Sequence, residues 1–404
     1  MNPVHSLLLM FIVVFISDDT VMFGTNMNQS FVVIRYLVYA IVLVLLVRQP
    51  SVAACAGRAR RRILVIAVIM ALAFAATMFI NGDLRNGYFL EALVLSLAGL
   101  IALRVERRAF LSQFSQVLFW FAVFSLCIFP LSIFATPLLE LLPVTENYAG
   151  VEFVNLGLAM VFRDADIIRN TAIFREPGVF ALYLLTGLMV ELFYMPRPRY
   201  INVAVFLVAL ATAMSTTGFF VGFLLLSGYI LRQNVRSALL VLLLMIVLAA
   251  GVIYVWPEII GFIFSKFDED SNEFVSALAR LSSISVPFMI FLTNPVFGAG
   301  LTRFVDQYLL FSEQLFGFPI SPDSASTNTI FNMFAIYGTV LGLLTVVGLF
   351  KFTWSLTRNR MARLVSFIAL LMMFSSQELR FSVFFNCLIM YGLFDSVDRD
   401  VEQQ

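Results

Sequence analysis

A pair of opposite charges marks the segment NTAIFREPGVF (residues 170–180), where a polar stretch ends and an apolar run begins. Pro177 is favoured in the first turn of a helix, so we expect a helix to begin directly after Arg175 and Glu176. Free backbone N–H groups at a helix start bind anions, and an adjacent arginine offers a planar fork suited to phosphate. The segment therefore predicts an anion-binding site, with Glu176 either as the ion-pair partner of Arg175 or as a base beside the anion.

The composition indicates what kind of protein must position this pair. Of the 404 residues, 61% are hydrophobic and only 13% are charged, and the mean hydropathy is +0.95. A soluble chain of this length could not bury so much apolar surface in one core. The sequence therefore predicts an all-α, polytopic membrane protein forming a single membrane domain over residues 1–404. Apolar runs cover 3–16, 31–47, 63–80, 89–103, 110–135, 177–195, 237–255 and 329–350.

The first of these runs is short, without a basic flank or a cleavage site of the Ala-x-Ala type, which favours a retained first helix over a signal peptide. Two other runs, 201–231 and 364–394, are too long for one crossing and are interrupted by STTG and SSQELR. We interpret each as two short helices around a polar turn, which makes about 12 transmembrane helices. With the N-terminus in the cytoplasm, most of the 26 lysines and arginines then lie on the inner side, as the positive-inside bias requires.

This topology predicts two large outer loops, residues 136–176 and 256–327. Unstructured loops of that length are uncommon in compact proteins, and these contain many phenylalanines, so we expect short interfacial helices within them. Several basic residues lie on this outer side against the usual bias, and any one of them could pair with a nearby carboxylate or reach lipid head groups. They are Arg85, Arg163, Arg169, Arg175, Arg280, Arg303, Arg380 and Lys266.

Other kinds of site lack support in the sequence. The three cysteines imply no disulfide framework, and the single histidine, His5, has no metal-ligand neighbours in the sequence. Neither a phosphate-binding loop nor a dinucleotide fingerprint is present, and the net charge of +1 gives no reason to expect nucleic acid. We therefore expect no cofactor, no metal and no nucleic-acid partner.

Four segments in a fixed order resemble a known family: FREPGVFALYL, the STTG turn, ARLSSISVPFMIFLTNPVFGAGLTRF and STNTIFNMFAIYGTVLGLL. The order is similar to that of the Wzy-type O-antigen and capsular polysaccharide polymerases, which share a superfamily with the O-antigen ligases. The resemblance covers roughly residues 170–350. In that family an arginine precedes an Asn-Pro-x-x-Gly-x-Gly turn, and here Arg280 precedes Asn294, Pro295, Gly298 and Gly300; this NPVFGAG segment is itself expected to be a structural turn.

The resemblance implies a glycosyltransferase of the bacterial cytoplasmic (inner) membrane with its active site facing outward. Such enzymes move a growing glycan from undecaprenyl diphosphate onto the next lipid-linked repeat unit, as in O-antigen, capsule or exopolysaccharide synthesis. Expected partners are this lipid-linked glycan, the lipid bilayer, and a chain-length regulator and flippase of the same pathway. The leaving diphosphate must be stabilised by positive charge, and a carboxylate should accept the proton of the attacking hydroxyl.

The candidate residues follow from this chemistry. For the diphosphate they are Arg175, Arg280, Arg303 and Arg380. For the base they are Glu176, Asp323 and Glu378, with Glu176 first because it adjoins Arg175. Asn328 either orients an acceptor hydroxyl of the glycan or caps its helix.

Two other functions remain open at this stage. A ligase of the same superfamily commonly has a His-Asn pair at the start of the next span, whereas this chain has Thr327 and Asn328 there. A flippase or other transporter for lipid-linked oligosaccharide could also have twelve spans. Transporters usually place their charges near the middle of the membrane, whereas this chain has its polar residues in long outer loops.

Overall fold

The computed structural model describes residues 3–48, 57–134, 139, 141–147, 150–162, 169–230 and 272–394. The predicted span 237–255 and residues 256–271 of the second predicted loop lie outside these ranges. The described chain is mostly helical, in agreement with the expected class. Its helices are α1 (Pro3–Phe15), α2 (Gln29–Arg48), α3 (Gly57–Asn81), α4 (Asn86–Arg104), α5 (Arg107–Phe134), α6 (Pro177–Met189), α7 (Tyr200–Ala213), α8 (Thr216–Ile230), α9 (Asn272–Thr293), α10 (Gly300–Phe316), α11 (Pro322–Ala325), α12 (Thr329–Leu356), α13 (Arg360–Phe374) and α14 (Val383–Phe394). Two short π-helical segments, Val21–Thr25 and Val190–Tyr194, complete the helical structure.

Six helical segments of the described chain are long and apolar enough to cross a membrane: Gln29–Arg48, Arg61–Asn81, Asn86–Arg104, Arg107–Phe134, Pro177–Tyr194 and Thr329–Leu356. Shorter apolar helices accompany them at His5–Phe15, Tyr200–Ala213, Thr216–Ile230, Leu278–Thr293 and Val383–Phe394. Many leucines, isoleucines and valines on α2 and α3 are exposed, as lipid-facing surfaces are. These features indicate a helical membrane protein.

Both interrupted apolar runs form two helices around a polar turn. In the first, Met214 adopts a left-handed conformation (φ 46°) that ends α7, and the Ser215 hydroxyl accepts a hydrogen bond from the Gly218 N–H at the start of α8. In the second, α13 ends at Phe374 and α14 begins at Val383, so residues 375–382 form a turn between them. The reason is local, since serine and threonine side chains bond to backbone groups that a continuous helix would otherwise use.

The first predicted outer loop differs from the expectation of short helices. It contains a three-stranded antiparallel sheet of β1 (Val144–Glu146), β2 (Glu152–Asn155) and β3 (Met160–Phe162), joined in the order β1-β2-β3. The strands carry valine, threonine and phenylalanine, and the turns between them contain Gly150 and Gly157 at positive φ. Short β-prone segments separated by such glycines favour hairpins over helices, so this part of the all-α prediction was wrong.

The second predicted loop also differs in scale, because its described part contains two substantial helices. Helix α9 has 22 residues and α10 has 17, and α10 ends at Gly317, which has a φ of 81°. Leu309, Leu310 and Leu315 on α10 are exposed, which gives that helix an apolar outer surface. The helices exceed the expected short interfacial elements because apolar residues recur at helical spacing over their whole length.

The turn between α9 and α10 interlocks with a break in α12. Gly338 lies within α12 but has φ 77° and ψ −168°, and its backbone faces the turn. The Ala299 N–H donates to the Ala335 carbonyl (2.8 Å), and the Thr339 N–H donates to the Pro295 carbonyl (2.9 Å). A Cβ at Gly338 would lie 2.2 Å from the Val296 carbonyl oxygen, so only glycine allows this approach. The NPVFGAG segment is therefore a structural turn, as expected.

The main core forms where α14 packs between α12 and α4. Phe384, Phe385 and Leu388 of α14 are fully buried, and Phe384 stacks on Phe114 of α5 with ring centroids 4.0 Å apart. Buried rings of this kind contribute apolar contact and favourable ring geometry together. The packing fixes the turn before α14, which carries several of the candidate functional residues.

We expect Gly338→Ala to destabilise the protein by about 3 kcal/mol, because an alanine there suffers both a disfavoured backbone conformation and overlap with the Val296 carbonyl. Gly317→Ala is the matched control. Gly317 also has positive φ but has open space around its Cβ position, so its substitution should cost only about 1 kcal/mol. Thermal unfolding of both purified variants in lipid nanodiscs measures the difference, and equal losses would contradict the interlock.

Candidate functional site

The described structure contains a cavity of about 910 Å³ that is lined by segments from both halves of the chain. It is bounded by the segment after α1, the start of α6, the α7–α8 turn, α9, α10 and the α13–α14 turn, with Phe153 and Phe162 of the sheet on one side. Its charged lining residues are Arg85, Arg169, Arg175, Arg280 and Arg380, together with Asp18, Glu176 and Glu378. Arginines thus outnumber carboxylates in the described lining.

Arg175 is placed by the extended residue that precedes α6. Glu176 has φ −148° and ψ 150°, and Pro177 occupies the first turn of α6, as the sequence predicted. The Arg175 N–H donates to the Asp19 carbonyl (2.9 Å), and its Nη2 donates to the Glu378 carbonyl (2.5 Å). Its Nη1 lies 3.6 Å from Asp18 Oδ2. Backbone and side chain together fix this guanidinium at the cavity wall.

Asp18 bridges Arg175 to a second, deeper arginine. Its Oδ1 lies 2.6 Å from Nη1 of Arg35, a residue of α2 whose side chain is only 4% exposed. Arg35 also donates to the Phe23 carbonyl (2.8 Å) and the Tyr36 hydroxyl (2.9 Å). Sequence reasoning missed Asp18, although the adjacent acids of ISDDT at the end of the first apolar run were the available signal.

Asp19, next to it, faces the core rather than the cavity. Its Oδ2 accepts a hydrogen bond from the Tyr183 hydroxyl of α6 (2.6 Å), and its side chain is fully buried. Burial raises the pKa of Asp19, while the nearby positive charge of Arg175 opposes that rise. The two neighbouring aspartates therefore serve different elements: Asp18 holds the arginines and Asp19 fastens α6.

Arg380 lies in the α13–α14 turn between two carboxylates. Its Nε is 3.3 Å from Glu378 Oε1 and 3.7 Å from Oε2 of Glu91, a buried residue of α4. Tyr337, immediately before the α12 break, donates its hydroxyl to Glu91. Burial alone would lower the pKa of Arg380, but the charges of Glu378 and Glu91 outweigh it, so the pKa is raised and the guanidinium stays charged.

Two hydrogen bonds attach the backbone of this turn to the side chain of the first residue of α12. The Thr329 hydroxyl donates to the Gln377 carbonyl (2.6 Å) and accepts from the Leu379 N–H (2.7 Å). The side chain of Glu378 accepts a hydrogen bond from Asn332, one turn further along α12. Gln377 donates its amide to Glu176 (3.2 Å), which links the turn to the start of α6.

The other candidates from the sequence are placed as follows. Arg280 is exposed, lines the cavity from α9 and donates to the Thr216 hydroxyl (3.1 Å). Arg303 is exposed on α10, outside the cavity lining. Asp323 falls within α11, and its side chain lies outside the described part of the structure. Asn328 is buried and caps α12, its Oδ1 accepting from the Phe331 N–H (3.0 Å).

Of the predicted residues, Arg175, Arg280, Arg380, Glu176 and Glu378 therefore line one cavity. Sequence reasoning did not anticipate Glu91, which lies beside Arg380, or Tyr337, which donates a hydrogen bond to Glu91. A charged residue in the middle of an apolar helix, such as Glu91 in α4, is a recognisable signal because burying an unpaired charge in a membrane is costly. Among the described residues no group of three histidine, cysteine, aspartate or glutamate side chains could hold a metal ion.

A scan of protein-family models and a search of curated proteins returned no match to this chain. Arginine forks in a confined cavity suit an anion with several oxygens, because each guanidinium donates two parallel hydrogen bonds. Carboxylates beside them can accept protons. The arrangement fits chemistry on a phosphorylated or diphosphorylated substrate.

We expect Asp18→Asn to destabilise the protein by about 3 kcal/mol, since it removes the carboxylate shared by Arg35 and Arg175 and leaves buried charge uncompensated. Asp306→Asn, on the exposed surface of α10, is the matched control and should change stability by less than about 0.5 kcal/mol. Urea or thermal unfolding in nanodiscs compares the two. A small effect at Asp18 would mean that other groups neutralise these arginines.

Proposed function

We propose that this protein is a membrane glycosyltransferase that polymerises undecaprenyl-diphosphate-linked oligosaccharide repeat units on the outer face of the bacterial cytoplasmic membrane. The observation that carries the proposal is that Arg175 and Arg380 both contact Glu378 at the cavity wall. Arg175 donates to the Glu378 carbonyl and lies beside Asp18, and Arg380 lies between the carboxylates of Glu378 and Glu91. The motif order in residues 170–350 supports the same function.

The chemistry requires such a site. A sugar hydroxyl attacks the anomeric carbon of the donor, the bond from that carbon to the phosphate oxygen breaks, and lipid diphosphate leaves. Diphosphate leaves without being protonated, so the site must above all stabilise negative charge in a preorganised way. Arg175 and Arg380 would bind the diphosphate, and Arg280 at the exposed side of the cavity would meet the same or a second phosphorylated group.

The proposal includes the twelve-helix topology, with the cavity facing outward. On that topology the α7–α8 turn, the α13–α14 turn and the start of α6 all lie on the outer side, which is consistent with their meeting at one cavity. The partly exposed ring of Phe162 in the lining offers a flat apolar surface on which a sugar ring can stack. The partners of the reaction would be the lipid-linked glycan and the bilayer, with a flippase supplying the substrate and a chain-length regulator limiting the product.

Deleting the gene from a strain that makes a repeat-unit polysaccharide should leave single repeat units, still delivered outward, without long polymer. The reason is that only the joining step is lost while transport and attachment continue. Gel electrophoresis of the surface glycan measures chain length. Units retained on the inner leaflet would indicate a transporter, and full-length polymer retained on its lipid carrier would indicate a ligase; either pattern contradicts the proposal.

Arg175→Ala should lower the polymerisation rate by a factor on the order of 10² to 10³, the usual effect of removing one preorganised charge stabiliser. Arg175→Lys should recover only part of the rate, because lysine keeps the charge but not the two-pronged geometry. Arg303→Ala, outside the cavity lining, is the matched control and should retain most activity. Polymer formation from lipid-linked repeat units is measured with equal amounts of folded protein. A larger loss at Arg303 than at Arg175 would place the anion site elsewhere.

A further inference from the structure

We propose that Glu378 accepts the proton of the attacking sugar hydroxyl, and that binding of the diphosphate to Arg380 is what frees Glu378 to do so. This inference rests on the proposed function. It selects one base from the candidates and assigns distinct roles to the two carboxylates that flank Arg380. The structural basis is that one of these carboxylates, Glu378, lines the cavity, whereas the other, Glu91, is buried in the helix bundle.

Glu378 is held firmly while part of it remains accessible. Asn332 donates to its Oε2, and the Arg175 guanidinium donates to its backbone carbonyl. Its Oε1 is buried, makes no hydrogen bond within the described structure, and faces the Arg380 guanidinium at 3.3 Å. The side chain as a whole is 22% exposed and lines the cavity, so a ligand can reach it there. A base needs this combination of fixed position and contact with the substrate cavity.

Glu91 is the partner of Arg380 that stays in place. It is 1% exposed, is absent from the cavity lining, and is tied to α12 by the Tyr337 hydroxyl. A buried guanidinium cannot lose its proton, so it needs a counter-charge. When Glu378 is exchanged for an anionic ligand, the ligand itself supplies that charge to Arg380, and Glu91 keeps its position beside the guanidinium.

The buried ion pair at the other end of α6 shows what a purely structural pair looks like in this protein. Glu191 is fully buried and receives hydrogen bonds from Arg199 (2.5 and 3.0 Å) and Asn202 (3.0 Å). In the Arg380 cluster, by contrast, Nη1 of Arg380 and Oε1 of Glu91 are buried and make no hydrogen bond in the described part of the chain. An unmade buried hydrogen bond is costly, and a phosphate oxygen would satisfy the arginine donor.

The exchange has a direct consequence for proton transfer. While Arg380 pairs with Glu378, the Oε1 oxygen is directed at the guanidinium rather than at the cavity. Once the diphosphate replaces this carboxylate at Arg380, the carboxylate can accept a hydrogen bond from the sugar hydroxyl instead. The hydroxyl proton then moves to the Glu378 carboxylate as the oxygen bonds to the anomeric carbon, and the electron pair of the breaking carbon–oxygen bond departs with the diphosphate. Glu378 later returns the proton to solvent through the open cavity.

Glu176, the other described candidate, is less suited to this role. Its side chain is exposed, and within the described residues its one side-chain hydrogen bond is the 3.2 Å contact from Gln377. It is therefore less constrained than Glu378, and no described cation forms a salt bridge with it that substrate could displace. Glu176→Gln accordingly tests the competing choice of base beside Glu378→Gln.

The test measures pyrophosphate binding and polymerisation separately on purified protein in nanodiscs. Glu378→Gln should lower the turnover number by a factor on the order of 10² to 10⁴ without raising the KM for the lipid-linked substrate, as expected for a lost base. It should also bind inorganic pyrophosphate about tenfold more tightly by calorimetry, because the carboxylate that competes for Arg380 is gone. Asp306→Asn, on the exposed surface of α10 and outside the cavity lining, is the control and should leave both quantities within about threefold of the wild type. A loss of turnover in Glu176→Gln as large as that in Glu378→Gln would overturn the choice of base.

A double-mutant cycle decides whether the effect runs through Arg380. If Glu378 competes with the ligand for Arg380, the tighter binding of Glu378→Gln should disappear in the Arg380→Ala background. The same tightening in both backgrounds would show general repulsion instead and would overturn the exchange. Normal turnover in Glu378→Gln would overturn the assignment of the base. If the cycle gives the expected result but the wild-type protein makes no polymer, the proposed function alone is contradicted. If the wild-type protein makes polymer but does not bind pyrophosphate, this inference alone is overturned.

Discussion

A guanidinium group buried in an apolar bundle keeps its charge, so the protein must supply a counter-charge wherever it places an arginine, and this requirement organises the structure around the cavity. Arg35 and Arg175 share Asp18, and Arg380 lies between Glu378 and Glu91. Moving any of these partners would leave a charge in low dielectric, which costs far more than losing an ordinary surface contact. The helices that carry them are therefore fixed relative to one another by the charges as well as by packing.

The ion-pair partners come from distant parts of the sequence, so the ion pairs fix the turns around the cavity relative to one another. Carboxylates from the first third of the chain, Asp18 and Glu91, meet arginines from the segment just before α6 and from the α13–α14 turn. The link continues outward, since Tyr337 bonds Glu91 and immediately precedes Gly338, where the α9–α10 turn locks against α12. The position of α9 and α10 is thus coupled, through the Tyr337 hydroxyl, to the Glu91 carboxylate beside Arg380.

Sequence reasoning predicted the features that depend on local composition. The apolar runs, the polar interruptions at STTG (215–218) and SSQELR (375–380), and the start of a helix at Pro177 follow from hydropathy and from residues with strong backbone preferences. The three-stranded sheet was not predicted, because its strands have only three or four residues each and show no clear period. The length of α9 and α10 was not predicted either, although apolar residues recur at helical spacing along both helices. Glu91 and Asp18 were missed for another reason: their role depends on which arginine lies opposite, and that pairing is set only by the tertiary fold. The functional assignment itself stays a proposal.

The start of α6 illustrates how tertiary contacts refine a correct local prediction. The expected anion site on the free N–H groups of this helix is partly covered by the Gln377 side chain, whose Nε2 would lie 2.8 Å from a Cβ at Gly178. Glycine at this position lets the α13–α14 turn pass close over the helix start and bond Glu176. Because the turn occupies that space, our proposal places the diphosphate at Arg175, which donates to the Glu378 carbonyl, and at Arg380, which pairs with the Glu378 carboxylate. On this proposal the helix start contributes its dipole at a distance, and the two guanidiniums make the direct contacts.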